Sequence, residues 1–351
     1  MDRPKIAVLF GGRSSEYDIS LQSAFSVIGH IDAQRYEPVL IGITKEGDWF
    51  RYYGDRADIL NDRWRQSGRC VPAAFAQNYH AKALLEFPEH GGVQCTRIDA
   101  AFPVLHGKNG EDGTVQGLFE LAGVPVIGCG TLASALCMDK DRAHRLAALA
   151  GVDTPAAAVF SARVTPGELM RETAALACPL FVKPVRAGSS FGITKVEDRG
   201  ELWEAVRAAF EHDDRVIVEQ GVPGFEVGCA VIGNEDQLTV GAVDEIELSD
   251  GFFDFDEKYT LKSSRIHMPA RIDDETAARI CSAAETVYRA LGCSGFARVD
   301  MFLTPEGRVV FNEVNTIPGF TAHSRFPNMM RGVGMTFAEL IDTLIRTGLR
   351  R

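Results

Sequence analysis

Four polar residues near the C-terminus have the spacing of one face of a β-hairpin. The turn residues at 304–307 separate two apolar stretches, which predicts the hairpin. This turn would place Arg298 opposite Glu313 and Asp300 opposite Phe311. Because side chains alternate along a strand, four polar side chains would project from one face. They are Arg298, Asp300, Glu313 and Asn315.

Three members of this set offer oxygen atoms and none is a Cys or His, which favours a hard cation such as Mg²⁺. Magnesium usually binds through one or two carboxylates together with substrate phosphates. The alternative is an ion pair between Arg298 and Glu313 on a solvated face. The Pro-Gly turn that follows at 316–320 offers backbone N–H groups and favours a functional site.

Two further segments could contact a ligand. The small-residue loop 186–192 follows Lys183, and its amides and hydroxyls could cover phosphates, although Gly/Ser hairpin tips are common. Glu16 follows the first strand and its Gly-Gly turn, where parallel sheets bind ligands. It could hold an ammonium group or be a helix-terminus acid.

A third segment, 106–113, combines three glycines with a histidine and two acids. His106 is a candidate ligand contact or an ordinary turn histidine. The stretch 128–133 fits a dinucleotide fingerprint and would suit an oxidoreductase, but no acidic residue closes a second strand about 20 residues later. There is no P-loop motif.

Composition limits the function classes. The chain has 351 residues and a formal net charge of −11, which argues against nucleic-acid and anionic-membrane binding. Its eight cysteines contain no C-x-x-C pair, which indicates reduced thiols in a cytosolic protein. No apolar stretch reaches the 18 residues that a membrane span needs.

The elements that must position these residues change character along the chain. Up to about residue 128, apolar strands alternate with helices, which predicts an α/β unit with a parallel sheet. The stretch 54–90 has no clear pattern. The expected elements here are strands 6–10, 37–43, 100–105 and 124–127 and helices 18–28 and 114–121.

The rest of the chain has the pattern of an α+β block with antiparallel strands. We expect strands 215–219 and 226–232 to pair around a turn at 221–224. The other expected elements are helices 134–150, 199–211, 275–291 and 336–347 and strands 180–184, 193–196, 239–248, 296–303 and 308–315.

In order along the chain, several motifs resemble those of the D-alanine–D-alanine ligases of the ATP-grasp superfamily. The resemblance runs from residue 6 to about residue 349 and rests on eight segments. They are FGGRSSEYDISLQSA, HGKNGEDGTVQGLFELAGVPVIG, MDK, FVKPVRAGSSFGITKV, VEQGVPGFEV, DFDEKYT, ARVDMFL and NEVNTIPGFTAHS.

The resemblance implies three domains. These are an N-terminal Rossmann-like α/β domain (1–128), a central ATP-grasp subdomain (129–219) and a C-terminal ATP-grasp subdomain with the metal and oxyanion site (220–351). It also implies that ATP phosphorylates D-alanine and that a second D-amino acid attacks the acyl phosphate, in peptidoglycan precursor synthesis. The alternative is an inactive nucleotide-binding ATP-grasp protein.

The family also implies roles for individual residues. The expected catalytic residues are Glu16, Ser189, Tyr259, Arg298 and Gly319. The expected substrate-binding residues are His106, Asp244, Phe253, Lys258, Ser324 and Arg325. ATP would contact Lys140, Lys183, Ser190, Glu219, Gln220, Val222 and Glu226. Two Mg²⁺ or Mn²⁺ ions would bind Asp300, Glu313 and Asn315.

The acceptor is the point at which the sequence departs from many relatives. Many D-alanine–D-alanine ligases have an apolar residue where this chain has Arg325. Asp244 and Phe253 match the vancomycin-resistance D-alanine–D-serine ligases. A guanidinium and a carboxylate, from Arg325 and Asp244, near the acceptor side chain would suit the hydroxyl of D-serine. Arg325 could instead pair with Asp244 while D-alanine remains the acceptor. Lys258 and Tyr259 argue against D-lactate. By resemblance we also expect a cytoplasmic homodimer.

Overall fold

The computed structural model describes residues 3–188, 192–234, 237–248 and 264–350. Five of the expected site residues lie outside these ranges. They are Ser189, Ser190, Phe253, Lys258 and Tyr259. Within the described residues, no helix is both long and apolar enough to cross a membrane.

The first sheet begins as the expected parallel unit. Strand β1 (Lys5–Gly11) lies between β2 (Glu37–Ile43) and β7 (Ala100–Pro103) and runs parallel to both. This central position buries β1 almost completely, which explains its uninterrupted apolar sequence. Helix α1 (Tyr17–His30) follows β1. The expected strand 124–127 is wrong, since only one bridge joins this segment to Ala101.

The unassigned stretch 54–90 extends the same sheet with antiparallel strands. The order in the described part of the chain is β6-β5-β4-β3-β2-β1-β7. These strands are short, and their burial patterns differ from one to the next: β3 alternates, β5 is mostly buried, β4 is mixed, and β6 is largely exposed, so no single period runs through the segment. The added elements are β3 (Trp49–Tyr52), α2 (Arg56–Leu60), β4 (Cys70–Phe75), β5 (Ala83–Glu86) and β6 (Gln94–Arg97).

Helix α3 (Thr114–Leu121) has the expected bounds, but the expected helix 134–150 is two helices. They are α4 (Thr131–Met138) and α5 (Lys140–Leu149), and the break between them lies at Asp139. Asp139 has an extended backbone, and its carboxylate accepts a hydrogen bond from the Arg142 backbone N–H at 3.0 Å. An N-cap therefore starts a new helix inside one apolar pattern.

The second sheet has the order β10-β9-β11-β8 in the described residues, and its neighbours are antiparallel. The hairpin of β9 and β10 confirms the expected one. The 199–211 helix begins with a short 3₁₀ turn. The elements are β8 (Ala157–Ser161), α6 (Pro166–Glu172), β9 (Leu180–Pro184), β10 (Thr194–Val196), α7 (Leu202–Ala209) and β11 (Arg215–Gln220).

The third sheet is centred on β12 (Phe225–Asn234), and the expected pairing of β12 with β11 is wrong. The two strands belong to different sheets, because the chain turns at Gly224 with φ +118°. The expected strand 239–248 is also wrong, since two strands there each pair with β12. The remaining elements are β13 (Gln237–Val240), β14 (Asp244–Leu248), β15 (Ser264–His267), α8 (Asp274–Ala290), β16 (Gly295–Leu303), β17 (Val309–Asn315), α9 (Arg325–Gly332) and α10 (Phe337–Leu349).

The hairpin of β16 and β17 forms, but its expected register is wrong. Arg298 lies opposite Asn315, and Asp300 lies opposite Glu313. If the register near the turn continued along the strands, Glu313 and Asn315 would lie on the face opposite to Arg298 and Asp300. A β-bulge leaves Asn312 unpaired and returns Glu313 and Asn315 to the face of Arg298 and Asp300. The four polar residues consequently share one face, as expected.

Gly11 offers a test of the turn that follows β1. Its φ is +86°, and a Cβ there would lie 2.2 Å from the Ile43 carbonyl oxygen. Gly47 has φ +103° with its nearest contact at 3.8 Å, so Gly47→Ala tests the backbone strain alone. In chemical denaturation, we expect the free energy of unfolding to fall by about 1–2 kcal/mol for Gly47→Ala and by clearly more for Gly11→Ala. Equal losses would contradict this account.

Candidate active site

A cavity of about 290 Å³ lies where the ends of β1, β7 and β17 meet. N-terminal residues form one wall, and residues of the third sheet form the other. Many of the predicted site residues line it, although they are widely separated in the sequence. They are Glu16, His106, Lys140, Arg298, Glu313, Asn315, Gly319, Ser324 and Arg325.

The other predicted residues of the described ranges lie behind or beside this cavity. Asp244 and Asp300 are only 1% exposed and contact the cavity-lining arginines from behind. The nucleotide-binding candidates Lys183, Glu219, Gln220, Val222 and Glu226 lie on or next to β9, β11 and β12.

Arg298 is fixed by a carboxylate two residues along its own strand. Its Nε and Nη2 donate to Asp300 at 2.8 and 2.7 Å, and Asn315 donates its amide to the same carboxylate at 2.8 Å. Burial opposes the charge of the guanidinium, but Asp300 outweighs it and the pKa of Arg298 is raised. The alternative of an Arg298–Glu313 ion pair is therefore not the pairing observed.

Arg325 is held by three carboxylates. It donates to both oxygens of Asp244 at 2.8 Å, to Glu226 at 2.8 Å, and lies 3.2 Å from Asp300. Burial works against its charge, yet these acids raise the pKa of Arg325 well above its ordinary value. The guanidinium is thus a permanently charged, rigidly oriented donor at the cavity wall.

The three metal-binding candidates differ in the contacts that they already make within the protein. Glu313 and Asn315 line the cavity, and their oxygens suit Mg²⁺. The Lys140 Nζ lies 3.6 Å from Glu313. Asp300 already serves two guanidiniums, so an ion would have to share or replace one of them. The oxygen atoms of Glu313, Asn315 and Asp300 fit magnesium and would be the residues to hold it.

His106 has both ring nitrogens engaged within the protein. Its Nδ1 lies 2.8 Å from the Ile317 carbonyl oxygen, and its Nε2 lies 3.0 Å from the Ser23 Oγ. Since a carbonyl only accepts, Nδ1 carries the proton and Nε2 accepts. Burial lowers the pKa of His106, although nearby Glu16 works in the opposite direction, and the ring is neutral.

Glu111 is a site residue that the sequence interpretation missed. Its carboxylate accepts hydrogen bonds from the backbone N–H groups of Gly107 at 2.8 Å and Ile317 at 3.0 Å. Desolvation and the charge of Glu16 raise the pKa of Glu111 to about 8. Its place in the 106–113 run, directly after Gly110, was the available signal.

A buried set of charges marks the side expected to bind nucleotide. Lys183 Nζ lies 2.6 Å from Glu219, and both residues are buried. Burial works to raise the pKa of Glu219, but Lys183, His144 and Lys140 outweigh it and the pKa is lowered. Among the residues that the structure describes, the Glu219 Oε1 has no hydrogen-bond partner, and an amino group of a bound base would satisfy it.

The pKa of Glu111 makes stability depend on pH in a defined direction. Between about pH 4.5 and about pH 8 the folded protein keeps a proton that the unfolded chain has released, so the free energy of unfolding falls as pH rises. Glu111→Gln removes this titration. In the ligand-free protein, the melting temperature of the variant relative to wild type should therefore rise up to about pH 8 and then level off.

Thermal melts from about pH 5 to about pH 9 measure this difference. Glu306→Gln is the matched control, because Glu306 is exposed and its pKa is lowered by hydrogen bonding to Thr304. That control should show no slope in the same range. A flat profile for Glu111→Gln would contradict the assignment.

Comparisons with known proteins match the whole chain. Residues 5–129 match the family described as D-ala D-ala ligase N-terminus, and residues 150–346 match D-ala D-ala ligase C-terminus. The vancomycin/teicoplanin A-type resistance protein VanA of Enterococcus faecium is 43% identical, with 100% of each chain covered. A D-alanine–D-alanine ligase of Caldicellulosiruptor bescii is 41% identical, covering 100% of this chain and 96% of the relative.

Solved structures agree with these matches. The crystal structure of the VanG D-Ala:D-Ser ligase from Enterococcus faecalis is 57% identical, with a TM-score of 0.92 and 99% of each chain covered. The expected ATP-grasp architecture with an N-terminal α/β unit is confirmed. The chain therefore belongs to the D-alanine–D-alanine ligase family of ATP-dependent enzymes, which join D-alanine to a second D-configured substrate.

Proposed function

We propose that the enzyme makes D-alanyl-D-serine for peptidoglycan precursors. The observation that carries this proposal is the cavity-facing guanidinium of Arg325, which two bonds to Asp244 hold in one orientation. A fixed charged donor would bind the hydroxyl of D-serine, whereas the methyl group of D-alanine offers it no partner. The 57% identity to a D-Ala:D-Ser ligase supports the same acceptor.

The proposed chemistry has two steps. A carboxylate oxygen of D-alanine attacks the γ-phosphorus of ATP, which gives D-alanyl phosphate and ADP. The amine of the acceptor then attacks the carbonyl carbon, loses a proton, and inorganic phosphate leaves. Negative charge gathers on the carbonyl oxygen at the tetrahedral stage, so donors at that oxygen supply much of the rate enhancement.

We assign the residues to these steps as follows. Glu16 holds the ammonium of the first D-alanine, and the Arg298 guanidinium with the Gly319 N–H stabilises the oxyanion. His106 shapes the first subsite, and Ser324 helps to hold the acceptor carboxylate. Lys140 and Lys183 neutralise phosphates. Adenine lies beside Glu219, Gln220 and Val222, with Glu226 on the ribose.

The segments outside the described residues complete the proposed assignment. Ser189 and Tyr259 would link to Glu16, and Ser190 would cover the phosphates. Lys258 would hold the acceptor carboxylate, and Phe253 would line the acceptor side.

Glu313 and Asn315, with Asp300, would hold two Mg²⁺ or Mn²⁺ ions, which would neutralise the transferred phosphoryl group.

We also propose a cytoplasmic homodimer and domain boundaries near residues 128 and 219. The second copy is proposed because α3, α4 and α5 present exposed leucines at positions 121, 132 and 149, from 68% to 84% exposed. Sedimentation velocity measures the assembly directly.

By making D-alanyl-D-serine, the enzyme would take part in resistance to vancomycin, the property named for several relatives.

Acceptor choice is measured by offering D-alanine alone or with equal D-serine, ATP and Mg²⁺, and separating the dipeptides. We expect D-alanyl-D-serine to exceed D-alanyl-D-alanine by at least about tenfold, the value of one hydrogen bond to a charged group. Arg325→Lys keeps the charge beside Asp244 but loses the two-pronged geometry, so the preference should fall.

Arg331→Lys on the exposed side of the same helix is the control and should leave the ratio unchanged. A wild-type enzyme that forms only D-alanyl-D-alanine would overturn the acceptor assignment and leave the ligase assignment intact.

The oxyanion role of Arg298 has its own test. Arg298→Ala should lower kcat by about 10²–10³-fold while ATP binding is retained, because the lost donor acts mainly at the tetrahedral stage. Arg308→Ala changes an exposed arginine at the turn of the same hairpin and should have little effect. An inactive nucleotide-binding protein predicts ATP binding without phosphate release in wild type, and an unchanged kcat in Arg298→Ala would overturn the role.

A further inference from the structure

The loop that carries the Gly319 N–H is held by N-terminal residues at three points. This 317–320 loop consists of Ile317, Pro318, Gly319 and Phe320. At its start, the Ile317 N–H donates to Glu111 at 3.0 Å, and the Ile317 carbonyl accepts from His106 at 2.8 Å. At its end, the Phe320 N–H donates to the Ser23 Oγ at 3.2 Å.

Ser23 joins two of these contacts into one chain of hydrogen bonds. Its Oγ accepts from the Phe320 N–H, so its own hydroxyl hydrogen is available for His106 Nε2, 3.0 Å away. The imidazole continues the chain of hydrogen bonds, since its Nδ1–H donates to the Ile317 carbonyl oxygen. One hydroxyl on α1 thereby ties together both ends of the 317–320 loop.

The aromatic core around Phe320 restricts the loop further. The Phe320 ring is fully buried and packs edge-to-face on Phe102 and Phe296, with ring centroids 5.8 and 5.4 Å apart. On the other side, a Cβ at Gly319 would lie 2.8 Å from the Ser324 Oγ. Packing fixes the position of the loop, and the hydrogen bonds set how its peptide planes are oriented.

We propose that Ser23 is a positioning residue of the ligase reaction, which acts through His106 and Phe320 to aim the Gly319 N–H at the reacting carbonyl oxygen. This inference rests on the oxyanion role proposed above for Gly319. Ser23 itself is 0% exposed and does not line the cavity, so it acts without touching substrate.

The expected energetic signature follows from where the Gly319 N–H acts. The carbonyl oxygen becomes negative at the tetrahedral stage. A misdirected N–H donor therefore reduces the stabilisation of the tetrahedral state far more than it reduces the affinity for substrate. Ser23 is therefore expected to affect kcat and to leave the KM values nearly unchanged. A general loss of stability would instead affect all substrates and the melting temperature.

The test is Ser23→Ala in the full-length enzyme, a change that removes one oxygen atom and keeps the backbone and Cβ. We expect kcat to fall by about tenfold to a hundredfold, the range that a misplacement of about an ångström produces, with KM for ATP and D-alanine nearly unchanged. Ser26→Ala is the matched control on the same helix, since its hydroxyl donates to the Gln22 carbonyl of that helix. It should behave as wild type.

A phosphinate analogue of the dipeptide gives a readout that a purely structural role would not move. Its tetrahedral phosphorus places an oxygen where the oxyanion forms. Its affinity should weaken in Ser23→Ala by about the same factor as kcat, while the affinity for ADP stays unchanged. Wild-type kcat and analogue affinity in a folded Ser23→Ala variant would overturn the proposal.

The failure of this inference is distinguishable from failure of the proposed function. If Arg298→Ala loses activity but Ser23→Ala does not, the oxyanion site stands and only the positioning role of Ser23 falls. If Arg298→Ala keeps full activity, the site assignment itself is wrong. If Ser23→Ala loses kcat, ADP affinity and melting temperature together, Ser23 is a structural residue and the proposal is overturned.

Discussion

Buried charge balance between two arginines and three acids is the constraint on which the site depends. Asp244 and Asp300 are almost completely buried, and a carboxylate in such surroundings is costly unless cations pair with it. Arg298 and Arg325 supply those cations. The same contacts bring together β14, β16 and α9, so the charges at the cavity also define the packing of the third sheet.

Assembly of the cavity requires both ends of the chain. The N-terminal part contributes Glu16, His106 and Glu111, and the third sheet with α9 contributes the arginines and the metal-binding candidates. A hydrophobic core that contains β1, β7, β16 and α10 holds these parts together. Because the hydrogen bonds at Ile317 cross this boundary, the 317–320 loop takes its orientation from residues some 200 positions away.

Alternation along each strand predicted which polar residues project together from that strand. The expected register was off by one residue near the turn and by two beyond the bulge, and an error of two leaves Arg298, Asp300, Glu313 and Asn315 on the same face. The break at Asp139 was not predictable from periodicity, since the apolar pattern continues across it while one N-cap interrupts the backbone. The two strands between 54 and 90 are short and differ in burial, so the segment has no common period to detect.

Site residues were recognised where their chemistry stands out in the sequence. Arg298, Glu313 and Asn315 lie in a short strand pattern, and the structure brings them to one cavity. Glu111 and Ser23 escaped notice because their importance comes from backbone groups of a distant loop. For Glu111 the glycine-rich 106–113 run was the available signal, whereas a serine on a helix such as Ser23 has no local signal in the sequence.

The unpaired Asn312 has a consequence for how this hairpin tolerates changes in length. Residues added at the tip around 304–307 would lengthen an exposed connection and leave the face of the hairpin intact. Deletion of Asn312 itself would instead remove the bulge and make the strand regular, so that Glu313 would still lie opposite Asp300 and Asn315 opposite Arg298, while Val314 would stay in the core. The bulge is therefore a point at which this strand can lose one residue and keep the site face.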